Sequence, residues 1–377
     1  MKIVIAPDKF KNSLTSLEFC DIVEKQIKKE MPNANIIKLP LADGGDGTID
    51  IVKYYLNGKT IKTTVSNPLF SAIEASYIYA SKNETAFIEM AEASGLKLLK
   101  PEQLDCKITT TFGTGELILD ALNKGAKKII LGIGGSATND CGIGMATALG
   151  YQFLDKKFKT VNPIGKNLSS IKSIDISQVN PKIFQTEFQI ACDVTNPLYG
   201  KKGASYVYAA QKGANKQDIL LLDKGLKDFS RLISLIFKID PQTIPGSGAA
   251  GGMGIASKIF LNGNLESGNK LIKKLSNFDN QILNADWIIT GEGKLDNQTL
   301  AGKTIQGVLD VSTQNNIKVA VFCGAIDIND KQLNTMGINY ASQIITESKN
   351  LDDAMQNTRI HLKAITKKFI SHIKQLA

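Results

Sequence analysis

The sequence predicts an α/β protein with two domains. Its 377 residues exceed the length that one hydrophobic core usually supports. Strand-like runs, polar loops and helical patterns alternate near both chain ends, whereas residues 59–89 carry three short β-rich runs separated by turn residues. This change indicates that a second domain begins near residue 65 and that the chain later returns to strand–helix alternation.

Composition excludes several classes of protein. Hydrophobic residues make up 43% of the chain and charged residues 21%, which is typical of a globular protein rather than a disordered or fibrous one. The N-terminal apolar run spans only residues 3–6, and no stretch approaches a membrane-spanning length, so we expect neither a signal peptide nor a membrane partner. The net charge is +9, but the lysines are dispersed without a dense basic patch, so we expect no nucleic-acid partner.

The cysteines and histidines also restrict the chemistry. Five cysteines are scattered without a C-x-x-C pair, which argues against a disulfide framework or a zinc site and predicts a cytoplasmic protein. The two histidines, His361 and His372, fall in the last predicted helix. Catalysis or metal binding by histidine is therefore not expected.

The first predicted strand, residues 3–6, leads into a polar loop. Asp8, Lys11 and Ser13 follow it, and Thr15 with Glu18 forms the pattern of a capping box at the start of a helix that runs to about residue 29. Ligands of open parallel sheets bind at the carboxyl ends of the strands, so this loop is a candidate site. The alternative, lysines on a solvated turn, applies above all to Lys9.

A second predicted strand, residues 35–39, precedes an acidic glycine-rich loop. Asp43 and Asp46 stand among three glycines there, so the loop could hold a hydrated Mg²⁺ or bind substrate hydroxyl groups. Asp-Gly sequences are also ordinary in turns, and taken alone the loop favours that interpretation.

The most informative stretch is KKIILGIGGSATNDCGIGMATALG, which starts at Lys127 and ends at Gly150. A short β-branched strand opens into a loop that contains Gly134, Gly135, Ser136 and Thr138, and a helical pattern follows. The sequence predicts either a cradle for phosphate or carboxylate or a glycine-rich turn of a packed domain, and for this loop alone the two readings weigh equally.

Later loops add acids, lysines and more glycines. Asp193 ends a predicted strand, residues 188–194, and Asn196, Gln211 and Lys212 lie in the polar loops that follow. Residues 246–251 match G-x-G-x-x-G, but Pro241 and Pro245 interrupt the approach, so a dinucleotide fingerprint is rejected and a phosphate-contacting loop is kept.

The loop after the predicted strand at residues 286–290 contains Glu292 and Asp296, which are close enough in sequence to share a metal. Its end, Gly302-Lys303-Thr304, copies the tail of a Walker A loop, yet Asn297 stands where that motif needs its first glycine. An ordinary P-loop is therefore rejected, while Lys303 could still neutralise phosphate. The bland alternative is a charged loop that opens a helix. Strands at 319–322 and 340–345 and a long helix at 352–375 complete the prediction.

Phosphoryl transfer requires the groups that these loops carry at strand ends. Backbone amides and lysines bind phosphates, carboxylates bind Mg²⁺, and an acid lies near the accepting hydroxyl. The chain also resembles the glycerate kinases of the bacterial glycerate 2-kinase type, over nearly its whole length. Seven ordered motifs carry the resemblance: APDKFKNSL (6–14), LADGGDGT (41–48), GGSATNDCGIGM (134–145), ACDVTNPLYG (191–200), QKGA (211–214), PGSGAAGGMG (245–254) and ITGEGKLDNQTLAGKT (289–304). The family pattern usually has Ser at Lys9, Gly at Asn12 and Cys141, and Glu at Asp46.

The resemblance implies ATP-dependent phosphorylation of D-glycerate with Mg²⁺, most often to 2-phosphoglycerate. It also implies a flavodoxin-like parallel-sheet domain built from residues 1–64 and 285–377, with a mixed α/β domain inserted at 65–284. The rival readings are a kinase for another small hydroxy acid and a dinucleotide-dependent oxidoreductase based on residues 246–251. A homo-oligomer stays open.

With this family in view, we assign expected roles to the candidates. Asp193, as base or hydroxyl orienter, Lys303 and Asp8 are expected to be catalytic. The residues expected to bind glycerate are Lys11, Ser13, Asp46, Asn196, Gln211 and Lys212. Those expected to bind the phosphates of ATP are Gly134, Gly135, Ser136, Thr138, Gly246, Gly248 and Gly251, and those expected to bind Mg²⁺ are Asp43, Glu292 and Asp296.

Overall fold

The predicted alternation of strands and helices is present in the structure, a computed structural model that describes residues 1–42, 48–296 and 303–376. The chain divides into two units. Unit 1 comprises Met1–Tyr55 and Gly268–Ala377, and unit 2 comprises Leu56–Ser267. Within the described residues, no helix is both long enough and apolar enough to cross a bilayer.

The strands are β1 (Lys2–Ile5), β2 (Asn35–Lys38), β3 (Lys59–Ser66), β4 (Ala72–Ala80), β5 (Thr85–Glu89), β6 (Lys128–Gly132), β7 (Gln152–Leu154), β8 (Ser173–Asp175), β9 (Glu187–Ala191), β10 (Asn264–Glu266), β11 (Trp287–Thr290), β12 (Lys294–Leu295), β13 (Lys318–Cys323), β14 (Ala325–Ile326) and β15 (Tyr340–Gln343). The helices are α1 (Ser16–Glu30), α2 (Thr48–Leu56), α3 (Ala91–Ser94), α4 (Phe112–Asn123), α5 (Ile143–Ala148), α6 (Ala204–Tyr208), α7 (Lys216–Phe237), α8 (Ala249–Phe260), α9 (Gly268–Leu275), α10 (Phe278–Gln281), α11 (Lys303–Gln314), α12 (Asp330–Thr335), α13 (Leu351–Gln356) and α14 (Thr358–Gln375).

Unit 1 is built on a five-stranded parallel sheet in the order β15-β13-β11-β1-β2. Counted along this unit, the strands take the order 2-1-3-4-5, which is the flavodoxin order. The expected flavodoxin-like fold from both chain ends is therefore confirmed. The strand order reverses between β1 and β11, where Ile3 pairs with Trp287. In such sheets, ligands bind beyond the carboxyl ends of the strands at this reversal.

The helices of unit 1 form where the sequence has caps and an apolar stripe. Thr15 and Glu18 make the predicted capping box at the start of α1, which buries Phe19, Val23 and Ile27 in the core. The predicted closing helix is two helices, because Asn357 interrupts it with φ −106° and ψ 21°. Asparagine competes for backbone groups and favours helix ends, which explains the break.

Unit 2 is built on a mixed six-stranded sheet in the order β10-β9-β6-β5-β4-β3. β3 and β4 form an antiparallel hairpin, and β5, β6, β9 and β10 run parallel. The expected mixed α/β architecture is confirmed. Since β3 pairs along its whole length with β4, the unit already includes residues 59–64, which the sequence analysis assigned to the other domain.

The parallel strands of unit 2 end in register. Glu89 of β5 is beside Gly132 of β6, which is beside Ala191 of β9, which is beside Glu266 of β10. The neighbouring positions Ile88, Leu131, Ile190 and Leu265 belong to or pack against the main core of the unit. The loops that follow these strands therefore start from one edge of the sheet.

Candidate functional site

The loop after β6 exposes backbone and buries side chains. Gly134 and Gly135 are exposed, and a Cβ added at Gly134 would meet no atom within 4 Å. Ser136 and Thr138 are buried directly behind them. Gly135 has φ +71°, a conformation that other residues rarely adopt. We call Gly134 and Gly135 the glycine apex, and its bare backbone suits the close approach of an anion.

Lys212 supports the glycine apex from below. Its side chain is 2% exposed, and Nζ donates hydrogen bonds of 2.7 Å to Ser136 Oγ and to the carbonyl of Thr138. Burial lowers the pKa of this ammonium from 10.5 to about 8, against the opposing influence of Cys106 and Asp140. Contact between Lys212 and glycerate stays a prediction, since the contacts seen here are with the loop.

Asp140 fixes the other side of the loop. Its fully buried carboxylate accepts hydrogen bonds from the backbone N–H and Oγ1 of Thr111, both at 2.8 Å, and from the N–H groups of Gly142 and Gly144 at 3.2 and 3.3 Å. Burial raises the pKa of Asp140, and these hydrogen bonds oppose that rise. The carboxylate thus joins the loop to the start of α5.

Buried threonines that were not singled out from the sequence surround this loop. Thr109, Thr110, Thr111 and Thr114 are all fully buried. Thr109 Oγ1 donates to the carbonyl of Ala137 at 2.9 Å, and Thr111 Oγ1 accepts from the N–H of Met145 at 2.8 Å. Three consecutive threonines before Gly-Thr-Gly, in residues 109–115, were the available signal.

The glycines of residues 246–252 pack against backbone. A Cβ at Gly251 would lie 2.2 Å from the carbonyl oxygen of Thr138, and one at Gly248 would lie 2.1 Å from that of Pro197. Ala250, Gly251 and Gly252 all have positive φ, so the regular part of α8 begins after them. These contacts account for Gly248 and Gly251 without a ligand. Phosphate contact by Gly246, Gly248 and Gly251 stays a prediction.

Asp193 lies where the sequence places it, just beyond β9, and it is half-buried. Asn196 is engaged within its own loop, since it donates to the carbonyl of Lys202 at 2.9 Å and accepts from Tyr208 Oη at 2.7 Å. Gln211 is exposed. Glu89 and Glu266 end their strands at the same edge, and the sequence analysis did not single them out.

Asp8 lies at the strand reversal of unit 1. Its side chain is 6% exposed, and its backbone N–H donates to the carbonyl of Gly291 at 2.9 Å, which places it beside the loop that carries Glu292. Oδ1 accepts from the N–H of Lys9 at 2.7 Å, and Oδ2 accepts from Thr304 Oγ1 at 2.8 Å. The structure thus brings the loop after β1 to the loop after β11.

Thr304 is in turn oriented by Asn269. The amide Nδ2 of Asn269 donates to Thr304 Oγ1 at 3.1 Å, and both residues are buried. An amide nitrogen can only donate, so the hydroxyl hydrogen of Thr304 is left for Asp8. This hydrogen-bond chain, Asn269–Thr304–Asp8, gives the threonine of Gly302-Lys303-Thr304 a function that the sequence did not reveal.

The remaining candidates of unit 1 differ in their surroundings. Ser13 Oγ is hydrogen-bonded to Thr358 Oγ1 and to the carbonyl of Met355, whereas Lys11 is exposed. Asp296 lies 3.6 Å from Lys294 Nζ. Lys303 begins α11, but its side chain, like Asp43 and Asp46, lies outside what the structure describes. In the described part of the chain, no group of three or more His, Cys, Asp or Glu side chains is placed to hold a metal.

Two departures from the family pattern coincide with unusual backbone. Asn12 has φ +62° and Cys141 has φ +49°, and these are the positions where the pattern has glycine. Left-handed backbone is what glycine adopts without strain. The loops therefore keep a glycine-type conformation at both positions despite the substitutions.

Comparison with known proteins bears on the whole chain. The model of the glycerate kinase family matches residues 3–374. A glycerate kinase of Bacillus cereus is 41% identical over 377 residues, which cover 100% of this chain and 99% of that protein. The glycerate 2-kinase of Escherichia coli K12 is 39% identical over 356 residues, which cover 94% of this chain and 93% of that protein.

A solved structure agrees with these relatives. The crystal structure of a protein described as a glycerate kinase 2, from Salmonella typhimurium LT2, is similar to this chain with a TM-score of 0.87 and 38% identity, and it covers 99% of each chain. Together with the flavodoxin strand order and the glycine apex, these matches establish that this chain belongs to the glycerate kinase family.

Proposed function

We propose that this protein transfers the γ-phosphoryl group of ATP to D-glycerate and forms 2-phosphoglycerate. The observation that carries the proposal is the exposed glycine apex with a buried ammonium beneath it, in a chain of the glycerate kinase family. Phosphoryl transfer depends mainly on positioning and on charge stabilisation, and backbone N–H groups with a nearby cation supply both.

In unit 2, the glycine apex binds phosphate oxygens of ATP. Ser136 and Thr138 are buried behind the apex, so the backbone of Gly134 and Gly135 makes the direct contact with phosphate. Asp193 is the candidate base that orients the attacking hydroxyl, because it follows a buried strand at the edge from which the apex also starts. Asn196 and Gln211 remain our candidates around glycerate.

In unit 1, carboxylates serve the metal and the reacting groups. Glu292 and Asp296, with Asp43 outside the described residues, would hold Mg²⁺, because carboxylate oxygens are the hard donors that this ion prefers. When bound, Mg²⁺ neutralises charge on the phosphates. Asp8 has its orientation fixed by Thr304 and by the N–H of Lys9. Lys11, Ser13, Asp46 and Lys303 complete the proposed contacts with substrate and phosphate.

The rival substrates are other small hydroxy acids, since pocket shape rather than loop chemistry selects among them. A dinucleotide-dependent oxidoreductase is less well supported, because a 3-10 turn at Pro241–Thr243 precedes residues 246–251, where a dinucleotide fingerprint requires a strand. All five cysteines are free thiols, which supports our assignment of the reaction to the cytoplasm.

Product analysis tests the proposal. The protein is incubated with ATP, Mg²⁺ and either D-glycerate, L-glycerate, lactate or malate, and the products are identified by phosphorus NMR. We expect 2-phosphoglycerate from D-glycerate alone. Formation of 3-phosphoglycerate would correct the position of transfer, preference for another acid would correct the substrate, and the absence of turnover with every acid would overturn the proposal.

Two variants test the expected base. Asp193→Asn should lower kcat by at least a hundredfold, since a positioned base typically contributes that much or more. Asp155→Asn is the matched control, because Asp155 lies in an exposed turn and only caps backbone N–H groups of Lys157 and Lys159. A folded Asp193→Asn protein with wild-type kcat would remove Asp193 from the mechanism.

A further inference from the structure

We propose that Lys212 is a positioning residue that holds the glycine apex in its phosphate-binding shape and supplies positive charge beneath it, without touching the nucleotide. This inference rests on the proposed function, since it assumes that phosphate groups bind at the apex. It assigns to Lys212 a different role from the direct contact with glycerate expected from the sequence.

The hydrogen bonds of Lys212 connect it directly to the loop after β6. The two hydrogen bonds from Lys212 Nζ reach residues 136 and 138, which directly follow the apex, so one side chain determines the path of the loop there. Lys212 itself sits in a rigid turn. Its carbonyl accepts from the N–H of Cys106 at 3.1 Å, and a Cβ on the next residue, Gly213, would lie 1.9 Å from the carbonyl oxygen of Leu104. These backbone contacts fix the position from which the buried side chain of Lys212 extends to the loop.

The charge of Lys212 is not neutralised by an adjacent carboxylate among the described residues. In the described part of the chain, no carboxylate forms an ion pair with Lys212 within 4.0 Å. The charged and titratable groups that influence it are Asp140 and Cys106, and Asp105 and Asp218 act in turn on Cys106. The carboxylate oxygens of Asp140 accept bonds from Thr111, Gly142 and Gly144. The charge of Lys212 therefore acts on the apex without a direct counter-ion.

The buried ammonium of Lys212 is unfavourable for the stability of the fold. Burial of a cation without an ion pair costs free energy, and an apolar residue of similar length would avoid that cost. A fold that needed only packing at this position would not require an ammonium. Phosphate binding would require it, because a fixed positive charge in a buried environment attracts an anion far more strongly than one in water.

The experiment measures binding of inorganic tripolyphosphate, and separately of adenosine, by isothermal titration calorimetry. We expect Lys212→Met to weaken tripolyphosphate binding at least tenfold at pH 7 and to leave adenosine binding unchanged. The matched control is Lys216→Met, which removes an exposed lysine at the start of α7 and should change neither affinity. Unchanged tripolyphosphate binding by folded Lys212→Met would overturn the proposal.

Two further measurements separate charge from packing. Between pH 7 and pH 9, the tripolyphosphate affinity of the wild type should fall several-fold relative to that of Lys212→Met, because Lys212 loses its proton while the titration of the ligand is common to both proteins. Ser136→Ala, which removes one of the two contacts, should weaken binding less than Lys212→Met does. If Lys212→Met does not fold, a pH-independent wild-type affinity together with unchanged binding by Ser136→Ala would overturn the proposal.

The outcome is distinguishable from failure of the proposed function. Loss of tripolyphosphate binding in Lys212→Met, combined with no turnover of any hydroxy acid by the wild type, would retain the phosphate site and reject the kinase activity. Turnover of D-glycerate with equal tripolyphosphate binding in both proteins would retain the kinase activity and reject the role of Lys212 in phosphate binding.

Discussion

The two units hold their candidate residues by opposite means. In unit 2, the loop after β6 is held by two buried ionisable groups, Lys212 on one side and Asp140 on the other. In unit 1, two of the groups that hold the Asp8 carboxylate are neutral donors, the hydroxyl of Thr304 and the backbone N–H of Lys9. The first arrangement leaves the glycine backbone of Gly134 and Gly135 exposed, and the second orients a carboxylate.

The two arrangements make the units sensitive to different substitutions. Removal of a buried ionisable group with several hydrogen-bond partners leaves several buried donors or acceptors unsatisfied, whereas removal of a neutral donor leaves a single oxygen with one bond fewer. We therefore expect substitutions in the loop after β6 to affect stability most, and substitutions around Asp8 to affect turnover most.

The largest effect is expected for Asp140→Ala. This change leaves the hydroxyl and N–H of Thr111 and two glycine N–H groups without their buried acceptor, so the free energy of unfolding should fall by about 3–5 kcal/mol. Urea denaturation measures it. Asp155→Ala removes an acceptor from an exposed turn and should cost less than about 1 kcal/mol. Equal losses in both variants would show that the hydrogen bonds of Asp140 stabilise the protein no more than those of Asp155.

The next effect is a pH dependence from Lys212. Its pKa in the folded state is about 8, below the usual 10.5, so the unfolded chain binds more protons between these values. The stability contributed by this group therefore rises as the pH increases from about 8 to 10.5, by roughly 3 kcal/mol in total. The unfolding free energy of the wild type is compared with that of Lys212→Met at pH 7.5 and at pH 10. The wild type should gain stability relative to the variant at the higher pH. Parallel pH profiles would contradict a buried ammonium.

A smaller effect is expected in unit 1. Thr304→Val keeps the shape of the side chain but removes the hydrogen bond to Asp8 and the acceptor for Asn269, so kcat/KM for the kinase reaction should fall about tenfold, equivalent to about 1.4 kcal/mol. Thr304→Ser keeps the hydroxyl and should retain most of the activity. If the valine variant is as active as the serine variant at equal stability, the hydrogen-bond chain has no role in turnover.

The smallest effect is expected at Asn12, which adopts left-handed backbone in the loop after β1. Alanine tolerates this conformation less well than asparagine, so Asn12→Ala should destabilise the protein by about 1 kcal/mol. Asn12→Gly should stay within about 0.5 kcal/mol of the wild type, because glycine adopts the conformation without strain. Thermal denaturation can rank the three proteins, and a more stable alanine variant would contradict the backbone assignment.

Local patterns were enough to predict most of the architecture. Strand runs, the Thr15–Glu18 cap and the return to alternation after residue 285 depend on neighbours in sequence, and the structure contains all of them. The break at Asn357 was missed, because apolar periodicity continues across it. The burial of Lys212 could not be predicted either, since it depends on Cys106 and Leu104, which are distant in sequence and pack on its turn.

The glycines show the same limit. Gly134 and Gly248 look alike in a one-dimensional pattern, yet the first is open to solvent and the second is pressed against the carbonyl of Pro197. Only the path of a distant segment decides between a ligand-binding glycine and a packing glycine. The domain boundary is equally hard to predict from local sequence, because the pairing of β3 with β4 determines which sheet β3 joins.

The parallel sheet of unit 1 has a consequence for protein synthesis. β1 needs β11 as a neighbour, and Ile3 is paired with Trp287, so the ribosome must translate β11 before the first strand can be enclosed. Unit 2 is contiguous and leaves the exit tunnel earlier. The nascent chain therefore carries an incomplete unit 1 while unit 2 is synthesised, and the core of unit 1 also needs the later helix α14.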